Sequence, residues 1–287
     1  MLRLWLVGGS AVVVLMKKIR RIFFKVFLLP FANRRYRSTP ASFEALAPAD
    51  PGDLFIGIVA FNQPELIGLQ EKALKKYCRD PYVVVIFDNS SEDAASSAIR
   101  DYCVAHRINY VRLPKNPGPD GSLSEGFALN WSYHNVIKRY RPNRFGFIDS
   151  DMFPTAPFSA NAHLAHGDAW GVITSRRPLA NFKRRVHYLW PGFSFFRSER
   201  FAKSEPNFLP GWGIDTAGRI RIDPVAVKKL GDVYDLHRER VPVEVAGVTP
   251  DASPVYRYGS FVHLVGTSAH TPSSEAKMKW MRNILAQ

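Results

Sequence analysis

Two cysteines, Cys78 and Cys103, are all the chain has in 287 residues. They form no CxxC pair and no Cys/His cluster, so neither a disulfide-built scaffold nor a zinc site is expected. Both read as buried, reduced thiols on helices. Phosphate-cradling glycine loops are missing as well. The first apolar run of the organised region is followed by VAFNQPE (59–65), which is neither G-x-G-x-x-G nor a P-loop. Long apolar runs are lacking too. The longest near the start, Leu4–Met16, has thirteen residues broken by Gly8, Gly9 and Ser10, whereas a spanning helix needs about twenty. Most of the nearby charge follows this run, the reverse of a secretory signal. Acids are scarce: 25 Asp and Glu face 39 Lys and Arg, a net charge of +14. The rest of the composition is that of a folded protein, and the length suits one large α/β domain with appendages.

The first fifty residues hold nine basic residues and only two acids, Glu44 and Asp50. Within LMKKIRRIFFKVFLLP, the residues Leu15, Ile19, Ile22, Phe23, Val26 and Phe27 recur at helical spacing. Lys17, Lys18, Arg20, Arg21 and Lys25 take the other faces. This is a basic amphipathic helix of the kind that lies in a membrane interface. The alternative is a helix docked on its own domain or on a partner. The apolar stripe is stronger than phosphate contact needs, so nucleic acid is not an expected partner. Pro30 is expected to end this helix and residues 31–51 to form a linker. Residues 1–50 are thus an arm, expected on an anionic membrane surface through residues 1–30. Basic residues on the domain side of the apolar stretch place the domain on the cytoplasmic face, peripheral or shallowly inserted.

From residue 54 onward, strands and helices alternate. LFIGIVAF (54–61), YVVVIFD (82–88), NYVRLP (109–114) and RFGFID (144–149) read as buried strands. Helices are expected from Pro64, with Glu92 and Asp93 in the first turn of the next, and after the loop KNPGPDGS (115–122). Such alternation predicts an α/β fold with a mostly parallel sheet flanked by helices. Ligands of open parallel sheets bind beyond the carboxyl ends of the strands. Three of those ends carry polar groups: Asn62, Asp88 with Asn89, and Asp149 with Asp151.

The last pair stands in FGFIDSDMFP (145–154). Carboxylates two residues apart on a strand end point the same way and repel. Magnesium or manganese, which take carboxylates plus substrate phosphates, would relieve that repulsion. A solvated acid pair is the plain alternative.

The order of VAFNQPE, VIFDNSSED, the N-x-G loop, FIDSD, GWGID and VH resembles the family 2 inverting glycosyltransferases of the GT-A fold, a Rossmann-like α/β architecture. The resemblance spans roughly residues 54–267. It implies transfer of a sugar from a nucleotide diphosphate, UDP-sugar favoured, to a glycolipid or polysaccharide hydroxyl, with a divalent metal, manganese or magnesium. By that resemblance Phe61, Asn62 and Asp88 hold the donor base, and Asp149 lies at the ribose and metal. Asp151 is the metal ligand, with His263 or His270 as a third. Trp212 stacks on an acceptor sugar, and Asp215 is the candidate base. The family often has two adjacent acids where this chain has Ile214 and Asp215. Residues 51–153 would be the nucleotide-sugar half and 154–287 the acceptor half with the C-terminal segment. For each residue a plainer role stands beside this one: a turn former at Asn62, a cap at Asp88, core packing at Trp212 and His263.

Two other functions fit the same residues. A nucleotidyltransferase or phosphatase would use the acid pair for its metal and have no need of Asp215. A non-catalytic membrane or nucleic-acid adaptor would keep the fold and use the basic arm, although an intact acid pair repels polyanions.

Overall fold

A computed structural model describes residues 24, 28–41, 53–165, 167–176, 186–202, 204–211, 214–220, 238–241, 254–267 and 273–287. Most of the arm, and Trp212 and His270, lie outside the described residues.

Four of the strands fall where the apolar runs place them: β1 (Leu54–Ala60), β2 (Tyr82–Asp88), β3 (Asn109–Arg112) and β4 (Arg144–Asp149). They are mutually parallel, β1 pairing with both β2 and β4, and β2 with β3. The crossovers are α2 (Pro64–Tyr77), α3 (Asp93–His106) and α4 (Gly121–Ser132), the last running on through a π-helical turn at Tyr133–Ile137. Two antiparallel strands, β6 (Ala169–Arg176) and β7 (Val186–Arg197), complete a six-stranded sheet in the order β3-β2-β1-β4-β7-β6. The short β5 (Met152–Pro154) leaves this sheet for a second one, antiparallel, with β10 (Phe261–Leu264), β9 (Val255–Tyr258) and β8 (Arg238–Val241). A helix of five residues, α5 (Ala160–Leu164), precedes β6, and α6 (Ser274–Ala286) closes the chain.

The mostly parallel α/β sheet flanked by helices therefore stands as expected. Its continuous strands are apolar because both faces are covered. One face carries Phe55, Phe145 and Phe147, with Phe127 of α4 in the same cluster, and the other carries Ile56, Ile58, Ile148 and Phe193. Full burial of each such side chain contributes about 1.5–3 kcal/mol.

The expected stop at Pro30 is corrected. Pro30 is the second residue of a helix, α1 (Leu29–Arg37), which continues past it. A proline in the first turn costs no hydrogen bond, because the first N–H groups of a helix have no partner within it, and its fixed φ suits that turn. Leu29, Asn33 and Tyr36 form the buried face of α1. Tyr36 meets Phe127 edge-on at 5.6 Å, and its hydroxyl donates to the carbonyl of Pro114. Residues 29–37 are thus part of the folded unit, and Phe24 also packs edge-on against Phe127 at 6.5 Å. Among the described residues, no helix is long and apolar enough to cross a membrane.

Candidate active site

The carboxyl ends of β1, β2 and β4 open on a cavity of about 940 Å³. Phe61, Arg112, Asn116, Glu125, the pair Asp149 and Asp151, and His263 are among its walls.

The acids are set by two sheets meeting. β4 ends at Asp149, the chain turns, and β5 carries it into the second sheet, where Met152 pairs with His263. The turn is clamped from below by Gln70 of α2, fully buried. Its Nε2 donates to the carbonyls of Asp149 at 2.9 Å and Met152 at 3.0 Å. On the other side, the amide of Leu264 donates to the carbonyl of Asp151. One ligand atom each from Asp149, Asp151 and His263 lies within 4.8 Å of the others. The Nε2 of His263 stands 3.1 Å from Oδ1 of Asp151, and the imidazole lies 4.9 Å from the Trp190 ring.

Crowding of charge shows in the protonation. Burial, then the carboxylates of Glu125 and Asp151, push Asp149 well above the usual carboxylate range. Burial opposes a charge on His263, yet the adjacent Asp151 and Asp149 outweigh it and raise its pKa. Two carboxylates and an imidazole held this close suit a divalent cation that accepts oxygen and nitrogen donors. The observed donor set fits manganese or magnesium.

Sequence reasoning missed Glu125. It lies on α4 and is pushed up to about 7 by burial and then by Asp215, with Thr216 and Asp149 opposing the rise. It thereby joins the acid pair to the segment carrying Asp215. Asp215 itself is exposed and does not line the cavity. Its Oδ1 accepts from the Ser122 hydroxyl and from the Thr216 amide. Lys277 of α6 was missed too. It is 1% exposed and within electrostatic reach of Asp151. Gln70 left one signal, a polar residue inside the apolar stripe of α2. Glu125 and Lys277 left none in a single sequence.

The donor-base residues divide. Phe61 is 38% exposed and lines the cavity. Asn62 is buried at φ 51°. Its Oδ1 accepts the amides of Ser91 and Glu92, so it pins the first loop to the start of α3. Asp88 is fully buried and off the cavity wall. Its carboxylate accepts from the Ser90 amide, the Ser96 and Tyr110 hydroxyls, and Arg112 at 3.2 Å. Arg112 and Ser90, both held by Asp88, reach the wall.

No family model matches the chain, and no curated protein matches it. Solved structures similar to it include glycosyltransferases. A mannosyltransferase from Pyrobaculum calidifontis, solved with GDP-mannose and Mn2+, is 15% identical at a TM-score of 0.35 over 64% of this chain and 55% of its own. TarS of S. aureus is 17% identical at 0.36, over 54% of this chain and 30% of its own. The bifunctional glycosyltransferase WbbM is 12% identical at 0.38, over 68% and 40%. The chain thus matches about half the length of the first and less of the others. With likeness this low, donor and acceptor must be read from the residues of the cavity.

Proposed function

We propose that the chain is a metal-dependent inverting glycosyltransferase. It would move a sugar from a nucleotide diphosphate, UDP-sugar favoured, to a hydroxyl of a glycolipid or polysaccharide. The observation that carries this reading is the Asp149–Asp151–His263 group on the wall of a nucleotide-sized cavity at the carboxyl ends of parallel strands.

A divalent cation held by these three residues would offset the charge that develops on the leaving diphosphate. Phe61 offers a face for the base to stack on. Arg112, oriented by Asp88, offers guanidinium donors to the base or ribose. This assigns Asp88 an indirect part in donor binding and Asn62 the shaping of the loop.

Asp215 is the candidate base. Two donors, the Ser122 hydroxyl and the Thr216 amide, orient its carboxylate. In the transfer it takes the acceptor proton as the hydroxyl oxygen bonds to the anomeric carbon. The bond to the diphosphate oxygen breaks on the opposite face, which gives inversion. Glu125 positions both sides, through Thr216 next to Asp215 and through Asp149. Trp212, one residue beyond Gly211, is assigned the acceptor sugar.

The test is turnover of nucleotide sugars by Asp151→Ala, compared with wild type at equal folded content. Loss of metal-dependent turnover supports the reading. Full turnover removes the metal assignment.

A further inference from the structure

A second cavity, of about 800 Å³, opens at the other end of β4. Its walls include Lys138, Arg141, Arg144, Arg197, Glu199 and Glu205. Arg144 starts β4 and Asp149 ends it, so the two cavities are separated by about 16 Å of strand at 3.3 Å per residue. Arg144 pairs across the sheet with Arg197 of β7, which brings two guanidinium side chains to one rim.

The acids here are already engaged. Glu205 takes Lys138, Arg37 at 3.7 Å and His134 at 3.5 Å, while Glu199 takes Arg197 at 3.1 Å. Arg141 and Arg144 have no carboxylate partner among the described residues. The Nε of Arg144 is shut away from water and has no acceptor among those residues. A buried guanidinium donor without an acceptor is uncommon, because it forfeits hydration and gains nothing. Arg141 follows the helix in the left-handed region, at φ 51°. The π-helical turn Tyr133–Ile137 contributes Tyr133 and Ile137 to the wall. Such turns recur at functional sites.

We infer that this cavity is a binding site for the phosphate of an anionic lipid headgroup, with Arg141 and Arg144 as its principal ligands. Guanidinium forks match phosphate oxygens in pairs. The choice of a lipid over a free phosphate rests on α1. Arg37, at its end, shares Glu205 with the cavity wall. The exposed face of α1 carries Phe31, 68% exposed, with Arg34 and Arg35 one turn on. An exposed aromatic flanked by arginines suits a membrane interface. This inference does not rest on the sugar-transfer reading.

The test uses the full chain and four proteins: wild type, Arg141→Asn, Arg141→Asn/Arg144→Gln, and the control Arg79→Gln/Arg100→Gln. Asparagine keeps the left-handed backbone. The control removes the same charge from exposed residues outside the cavity. Flotation is measured with phosphatidylcholine vesicles, with and without phosphatidylglycerol. Thermal unfolding is followed with inorganic phosphate and with glycerol phosphate. The expected result is phosphatidylglycerol-dependent flotation that falls about tenfold in the double cavity variant and is kept in the control. Equal flotation of all four proteins, or an equal loss in the control, overturns the site. Stabilisation by inorganic phosphate without lipid-dependent flotation overturns the lipid assignment. Should the double variant fail to fold, the exposed Arg141→Asn decides by the same readings.

Discussion

The Nε2 of His263 and the Oδ1 of Asp151 stand 3.1 Å apart, joining a strand of the second sheet to the end of the parallel one. If that pair is the heart of a metal site, removing its nitrogen should weaken the metal more than the fold. His263→Ala is expected to lower manganese affinity by at least about 10–100-fold, the loss that removing an outer-shell partner of a ligand already causes. Calorimetric titration with manganese reads this directly. Affinity equal to wild type would leave His263 as a packing residue under Trp190.

Asp215→Asn is expected to slow transfer about 10²–10⁴-fold, the usual contribution of a general base. Nucleotide affinity should be unchanged, since Asp215 does not line the donor cavity. A variant that transfers normally would move the base elsewhere. Glu125→Gln tests positioning. It should lower kcat while shifting the pH profile, whereas a purely structural role would lower only the unfolding temperature.

Gly192 of β7 lies directly against Asp149. A Cβ at this position would overlap Oδ2 of Asp149 and the Trp190 ring. Gly192→Ala is therefore expected to displace a metal ligand. The measurable outcome is loss of metal-induced thermal stabilisation in a protein that still folds. Retained stabilisation would mean that Trp190 yields and Asp149 stays in place.

Glu71 accepts from Lys75 at 2.6 Å and from the Tyr102 hydroxyl at 2.5 Å, with His106 at 3.0 Å. Burial alone would raise its pKa, but the bonds from Lys75 and Tyr102 and the charges of Lys75 and His106 lower it. A lowered folded-state pKa means stability that is complete above the ordinary 4.5 and lost as pH falls through the folded value. Glu71→Gln is expected to destabilise the protein at neutral pH by about 1–3 kcal/mol. The gap to wild type should narrow on acidification below that window. Denaturant unfolding at a series of pH values checks it, and a gap independent of pH would contradict it.

Truncation of the arm must respect α1. A deletion of residues 1–30 would strip Phe24 and Leu29 from the core, so residues 1–23 are the proper segment. Their removal is expected to cut binding to anionic vesicles about tenfold or more while donor turnover persists. Unchanged vesicle binding would refute the anchor.

The sheet was legible because a strand buried on both faces is written as an unbroken apolar run. All four such runs, from Leu54 to Asp149, became neighbouring parallel strands. The acid pair was legible because polar residues interrupt those runs only where the strands end. The role of Asp88 was less legible for the same reason. A carboxylate at a strand end looks identical whether it faces a ligand or holds the groups beside it, and Asp88 accepts from Arg112 and two hydroxyls. Glu125 could not be read, since its neighbours Asp149 and Thr216 are distant in sequence. Pro30 misled because a proline stops one helix and starts another with equal ease.

The central claim is a metal-dependent nucleotide site at Asp149, Asp151 and His263. Its most direct test is thermal unfolding of wild type and Asp151→Ala with manganese and UDP, GDP or dTDP. The account predicts stabilisation by one nucleotide, UDP foremost, that requires manganese and disappears in Asp151→Ala. A folded wild type that none of the three nucleotides stabilises, with or without manganese, would contradict it.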